Sequence, residues 1–199
     1  MKQKLILIVI FLAIMALLPF TAVKCSFNSN PLTTVTDTAD TVIKDDKENI
    51  LRGLVSALYD DSYCTETIRA ITIMLSTNYD VSTFDLNDEN IYLPENKLSG
   101  SKKEFYGEIK KIVNSNKEFY LSKNNEKLYI PYSDSSNGKT VQNDYLSSVA
   151  SPWDCFNQDY GKNVACYGVS LSGIDYLCKN GMNAEQALLW YLPDFEINN

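Results

Sequence analysis

An unbroken apolar run from Leu5 to Leu18, with Lys2 and Lys4 before it, constrains this chain more than any other feature. Such a run has no polar face to turn toward water, so it cannot be a surface element of a soluble domain. It continues across Pro19 and Thr21 to Val23, a length of about 19 residues and close to the minimum for a bilayer span. The pattern is that of an export signal or an N-terminal anchor. No Ala-x-Ala cleavage site comes after it, which favours an uncleaved anchor over a cleaved signal. A lipidated Cys25 is a third reading, against which stands Lys24 where a small residue is needed. The lysines before the run are expected to stay inside and the remainder of the chain to lie outside the cytoplasm. The expected organisation is an anchor over 1–24, a Thr/Asp-rich tether over 25–46 and one domain over 47–199.

Composition narrows the chemistry. The chain of 199 residues carries a net charge of -7 and no histidine. An acidic chain without a basic patch is not expected to bind nucleic acid. Without histidine there is no Ser-His-Asp triad, no Cys/His zinc site and no His-Glu-x-x-His protease, so acid–base work falls to Asp, Glu, Tyr, Lys or Cys. No cofactor and no metal are expected. Cys64, Cys155, Cys166 and Cys178 contain no Cys-x-x-Cys pair, and outside the cytoplasm they allow two disulfides in three pairings. Cys155 and Cys166 flank a turn expected at Tyr160-Gly161 and are the pair expected to bridge first.

Periodicity places the elements. Ile50, Leu51, Leu54, Val55 and Leu58 form a helical stripe, and Asp60-Asp61 a turn after it. Ile68, Ile71, Met74 and Leu75 form a second stripe, with Thr65 as its expected N-cap. A loop then runs to about residue 101. Phe105, Ile109, Ile112 and Val113 mark a third helix, and two alternating runs around Asn124-Asn125 a hairpin. A helix is expected to begin at Ser170 or Ser172 and end at Gly181. Another starts after the N-cap Asn183 and stops at Pro193. The class expected is α+β, helices packed on short antiparallel strands.

The stretch SSNGKTVQNDYLSSVASPWDC, from Ser135 to Cys155, contains Gly-Lys-Thr but is not a phosphate loop. The first glycine of that motif would stand at Ser133, and the residues after Thr140 lack a helical period and include Pro152. It reads instead as a polar loop turning at Asn137-Gly138.

Four segments, in order and with matching internal lengths, resemble the SpoIID/LytB domain family of stage II sporulation protein D and the amidase enhancers. LRGLVSALYDDSYCTETIRAITI is similar to V-x-G-V-V-x-x-E-M-P, five residues, then E-A-L-K-A-Q-A-V. IPYSDSSNGKT is similar to Y-x-S-S-x-G-x-T, and DYLSSVASPWD to P-Y-L-x-S-V-x-S-P-x-D. GVSLSGIDYLCKNGMNAEQALLWYLPDFEI is similar to G-M-S-Q-Y-G-A-x-x-M-A-x-x-G-x-S-Y-x-x-I-L-x-x-Y-Y-P. The resemblance spans about Lys47 to Ile197 and implies a peptidoglycan-directed role in sporulation. Partners would be glycan strands, a wall amidase or another wall-remodelling protein, and the membrane through the N-terminal helix. By this resemblance Ser135, Ser136, Asn137, Lys139 and Thr140 would line a sugar groove, joined by Trp153, Asp154, Ser170 and Ser172.

Departures from the family pattern fall on its polar positions. The glutamate of E-M-P is Leu58 here, while the later one persists as Glu66, in the first turn of a helix where the dipole favours its anion. The family histidine is Ala165, its Gln-Tyr pair is Leu171-Ser172, and the arginine at the end of the second helix is Ser76. A protein that binds glycan or a wall-remodelling partner, with weak or lost lytic transglycosylase activity, is the first expectation. The second is an active lytic transglycosylase with Glu66 as acid/base, or with a shifted acid at Asp60 or Asp61. The third is a membrane-tethered structural subunit of an engulfment-type complex.

Overall fold

A computed structural model describes residues 39–156 and 165–199, with side chains from Lys47 onward. The anchor over 1–24 and the turn at Tyr160-Gly161 lie outside the described residues. Among the described residues no helix is long and apolar enough to cross a membrane.

The described residues include five α-helices and four short strands, a fold of the mixed α+β kind. α1 (Ala39–Leu58) begins inside the stretch read as a tether. α2 (Thr65–Val81) starts one residue after Cys64, which takes the N-cap position expected for Thr65. α3 is Gly100–Asn116, α4 Leu171–Lys179 and α5 Ala184–Tyr191. β1 (Tyr120–Ser122) pairs antiparallel with β4 (Glu196–Asn198). α2 is the central element, buried along Ile68, Ile71, Ile73, Met74 and Leu75, and α3, α4, α5 and β1 pack around it. Each such fully buried side chain stabilises by about 1.5–3 kcal/mol before entropic costs.

The strands depart from expectation. β2 (Tyr132–Ser133) pairs in parallel with β3 (Val169–Ser170), so the strands are not all antiparallel. Asn124 and Asn125 do make a tight turn, both with positive φ (54° and 64°), closed by paired backbone bonds between Lys123 and Glu126. The expected hairpin ends there, because the backbone after it leaves to meet α2. Asn78, buried on α2, donates through Nδ2 to the Ile130 carbonyl (2.8 Å) and accepts from the Ile130 N–H (2.7 Å). Thr77 Oγ1 accepts from Leu121 N (2.8 Å), and Ser76 Oγ donates to the Lys117 carbonyl (2.6 Å). A polar row on the central helix thus satisfies irregular backbone that a hairpin would otherwise have paired.

Candidate functional site

Buried carboxylates cost several kcal/mol unless hydrogen-bond donors meet them. Asp154, 3% exposed, meets four. Its Oδ2 accepts from the N–H (3.2 Å) and Oγ (2.6 Å) of Ser136 and from Ser151 Oγ (2.7 Å); its Oδ1 accepts from Ser172 Oγ (2.8 Å). Three segments converge here. The 3-10 turn Pro152–Phe156 carries Asp154, the loop after β2 brings Ser136, and the first turn of α4 brings Ser172. Ser170 is the N-cap of α4, its Oγ accepting from Gly173 N (3.1 Å).

A directed chain of donors feeds the same carboxylate. Trp153 Nε1 donates to Tyr191 Oη (3.0 Å). Since the one Ser151 hydroxyl proton goes to Asp154, Tyr191 Oη donates to Ser151 Oγ (2.5 Å). Burial is the main cause that lifts the Tyr191 phenol to about 12, so it remains a donor across ordinary pH. The loop closes below through Thr140, whose Oγ1 accepts from Val149 N (2.9 Å). Lys139 pairs with Ala150 in an antiparallel bridge, so the Gly-Lys-Thr segment leads into extended backbone and not into a helix.

Ser136, Thr140, Asp154 and Ser170 are therefore buried and face the protein, not a groove. Asn137 and Lys139 are exposed, while Ser135 and Ser172 are half-buried. Trp153 is neither a free platform nor a core residue. Tyr176 of α4 stacks on it, with centroids 5.2 Å apart and planes 10° apart, and Trp190 of α5 lies at 5.5 Å and 55°. The rings open to solvent are Tyr176 (48% exposed) and Trp190 (40%), with Trp190 Nε1 held by the Ala150 carbonyl (3.0 Å). Sequence reading misses both, along with Ser151 and Tyr191. Ser151 is signalled by its position three before Asp154, the capping spacing. Tyr176 and Trp190 look like ordinary helix aromatics.

Glu66 lies elsewhere and is occupied. Its Oε2 accepts from Ala184 N (2.8 Å), the first residue of α5, and stands 3.6 Å from Arg69 Nη1. Arg69 also pairs with Glu185 and donates to Asn116 (2.9 Å). Glu66 thus ties α2 to the start of α5. Of the shifted acids considered with it, Asp60 accepts from Ser62, whose hydroxyl and N–H hold the carboxyl below its usual range. Leu58, at the end of α1, is half-buried against the core.

The four described cysteines are free thiols, so the expected Cys155–Cys166 bridge is not formed. Cys166 is buried with Sγ toward the Val169 carbonyl (3.8 Å). Cys155 Sγ instead lies under Gly138, 2.5 Å from where a Cβ would stand. The two side chains are directed into different neighbourhoods despite their short separation in sequence. Among the described residues no group of cysteine and acidic side chains could hold a metal. No family model and no curated protein matches this chain.

Proposed function

We propose that the chain is a membrane-anchored, extracytoplasmic, SpoIID-like protein that binds the glycan strands of peptidoglycan without cleaving them efficiently. The observation that carries this reading is the three-ring group of Trp153, Tyr176 and Trp190, open to solvent at its outer rings and set on a rigid Asp154 network. Exposed aromatic faces take up the C–H faces of pyranose rings, and their large area supplies affinity without charge. Such a mode suits a protein of net charge -7 in an anionic wall.

Weak chemistry is expected from the acids. Glycosidic cleavage needs a carboxylic acid able to donate a proton in an apolar setting. Leu58 cannot donate one, Asp154 is surrounded by donors, and Glu66 is engaged by Ala184 and Arg69. The test uses the full chain in mild detergent with denuded glycan strands. The chain should pellet with the polymer and release few anhydro sugar ends. Tyr176→Ala and Trp190→Ala should each weaken binding about tenfold, roughly 1.4 kcal/mol. Vigorous wild-type cleavage that Glu66→Gln abolishes would overturn this reading and make Glu66 the catalyst. A chain that neither pellets nor cleaves would leave a structural subunit of an engulfment-type complex as the better reading.

A further inference from the structure

Cys64 and Cys178 are far apart in sequence yet both flank Asp175, Cys64 through its backbone N–H and Cys178 one helical turn on. Cys64 is the N-cap residue of α2, half-buried, and its Sγ lies 3.2 Å from Thr67 Oγ1. Asp175 of α4 clamps this corner, accepting from Cys64 N (3.1 Å) and Thr67 Oγ1 (2.8 Å). Lys179 closes the other side of Asp175 at 2.6 Å. Cys178 lies three positions beyond Asp175 and so shares its helix face. Cys178 is buried; burial first, and the neighbouring Cys64 second, push its thiol up to about 12. Cys155 and Cys166 have their contacts elsewhere, Cys155 Sγ beside Gly138 and Cys166 Sγ toward the Val169 carbonyl.

We propose that Cys64 and Cys178 are a built redox pair that closes to a disulfide, stapling the start of α2 to the end of α4. The oxidant is a small-molecule disulfide or the active-site disulfide of a thiol oxidoreductase. Cys64, the more accessible sulfur, loses its proton and attacks one sulfur of the oxidant, giving a mixed disulfide and one reduced thiol. Cys178 then loses its proton and attacks the Cys64 sulfur. The Cys64–Cys178 bond forms, the mixed disulfide breaks, and the second oxidant sulfur leaves as a thiolate that takes up a proton. Two thiols of the chain are oxidised and one disulfide of the oxidant is reduced to two thiols. Thr67 and Asp175 act as positioning residues that hold the two sulfurs in one corner. Closure immobilises α4, which carries Tyr176, so the staple sets the rigidity of the aromatic face. The pairing itself does not depend on what that face binds.

The experiment is peptide mapping of the full chain, reduced and then treated with oxidised glutathione, with alkylation of residual thiols. The expected result is a cross-linked peptide pair joining Cys64 to Cys178 and loss of alkylation at both. In Cys64→Ser, Cys178 should stay alkylated, with no new protein disulfide at it. Cys155→Ser/Cys166→Ser should leave the cross-link intact, and the oxidised chain should melt at a higher temperature than the reduced one. Full alkylation of Cys64 and Cys178 after oxidation of the folded wild type would overturn the proposal. So would a dominant cross-link from either of them to Cys155 or Cys166. Since the wild type alone decides these two outcomes, a variant that fails to fold does not blunt the test.

Discussion

At Gly173 the need for the smallest side chain is explicit. A Cβ there would collide with Tyr191 Oη and stand 2.8 Å from Trp153 Nε1. Both atoms belong to the donor chain that ends on Asp154, and Tyr191 is fully buried, so neither can step aside without breaking a bond. Gly173→Ala should therefore destabilise by about 1–3 kcal/mol through overpacking, although alanine is the better helix former. Urea unfolding measures the loss, and tryptophan emission should shift to the red as Trp153 becomes more hydrated. Equal stability in wild type and variant would contradict the tight contact.

Elements here are joined by side chains that replace missing sheet. Asn78 takes both backbone groups of Ile130 in a buried position. Asn78→Ala strands a donor and an acceptor, and each buried unsatisfied group costs roughly 1–3 kcal/mol. A loss of about 2–4 kcal/mol in urea unfolding is expected, with hydrogen exchange at Ile130 accelerated beyond the global change. The turn at Asn124-Asn125 offers the opposite sign. Both residues hold positive φ, which glycine adopts without penalty at the second position of such a turn. Asn125→Gly should be neutral or stabilise by up to about 1 kcal/mol, read from the same urea titration. A clear destabilisation would mean that the Asn125 side chain does something beyond tolerating the turn.

Over the whole molecule the ionisable groups set two pH limits. Burial would raise the Asp80 carboxyl, but hydrogen bonds and charge from Lys127 (2.5 Å) and Lys47 (2.9 Å) outweigh it and hold it below 3.8. A depressed acid stabilises the fold above its unfolded value and loses that contribution as pH falls through the folded one. Asp60 acts in the same direction. Burial raises Cys166 from 9.0 to about 11 and Cys178 from 9.0 to about 12. Raised thiols favour the fold below their unfolded value, and this is lost as pH climbs toward the folded one. The urea midpoint should be flat between about pH 4.5 and 8.5, falling on both sides. Alanine carries no titrating proton, so the alkaline fall should shrink in Cys166→Ala. An alkaline limb identical to that of wild type would show that Cys166 is not held neutral.

Helix placement is legible in sequence because it rests on local spacing. The stripes at Ile68–Leu75 and Ile109–Val113 land on buried faces, and Asn183 caps α5 with Gln186 in a reciprocal pair. Apolar periodicity and caps act within one or two turns, so neighbouring letters carry them. Strand partners are not legible. Tyr120–Ser122 could have closed on its neighbour across Asn124-Asn125, but Glu196–Asn198 takes its backbone and Asn78 takes that of Ile130 beyond the turn, an outcome decided only in three dimensions. The site divides in the same way. Ser136, Asp154 and Ser172 are grouped in sequence only through the family resemblance, as lining of a sugar groove; in the structure they meet one another. Whether they turn outward to a ligand or inward to each other depends on what covers them. Trp153, Tyr176 and Tyr191 provide that cover from three separate segments, so tertiary packing assigns the polar groups to the interior and leaves Tyr176 and Trp190 at the surface.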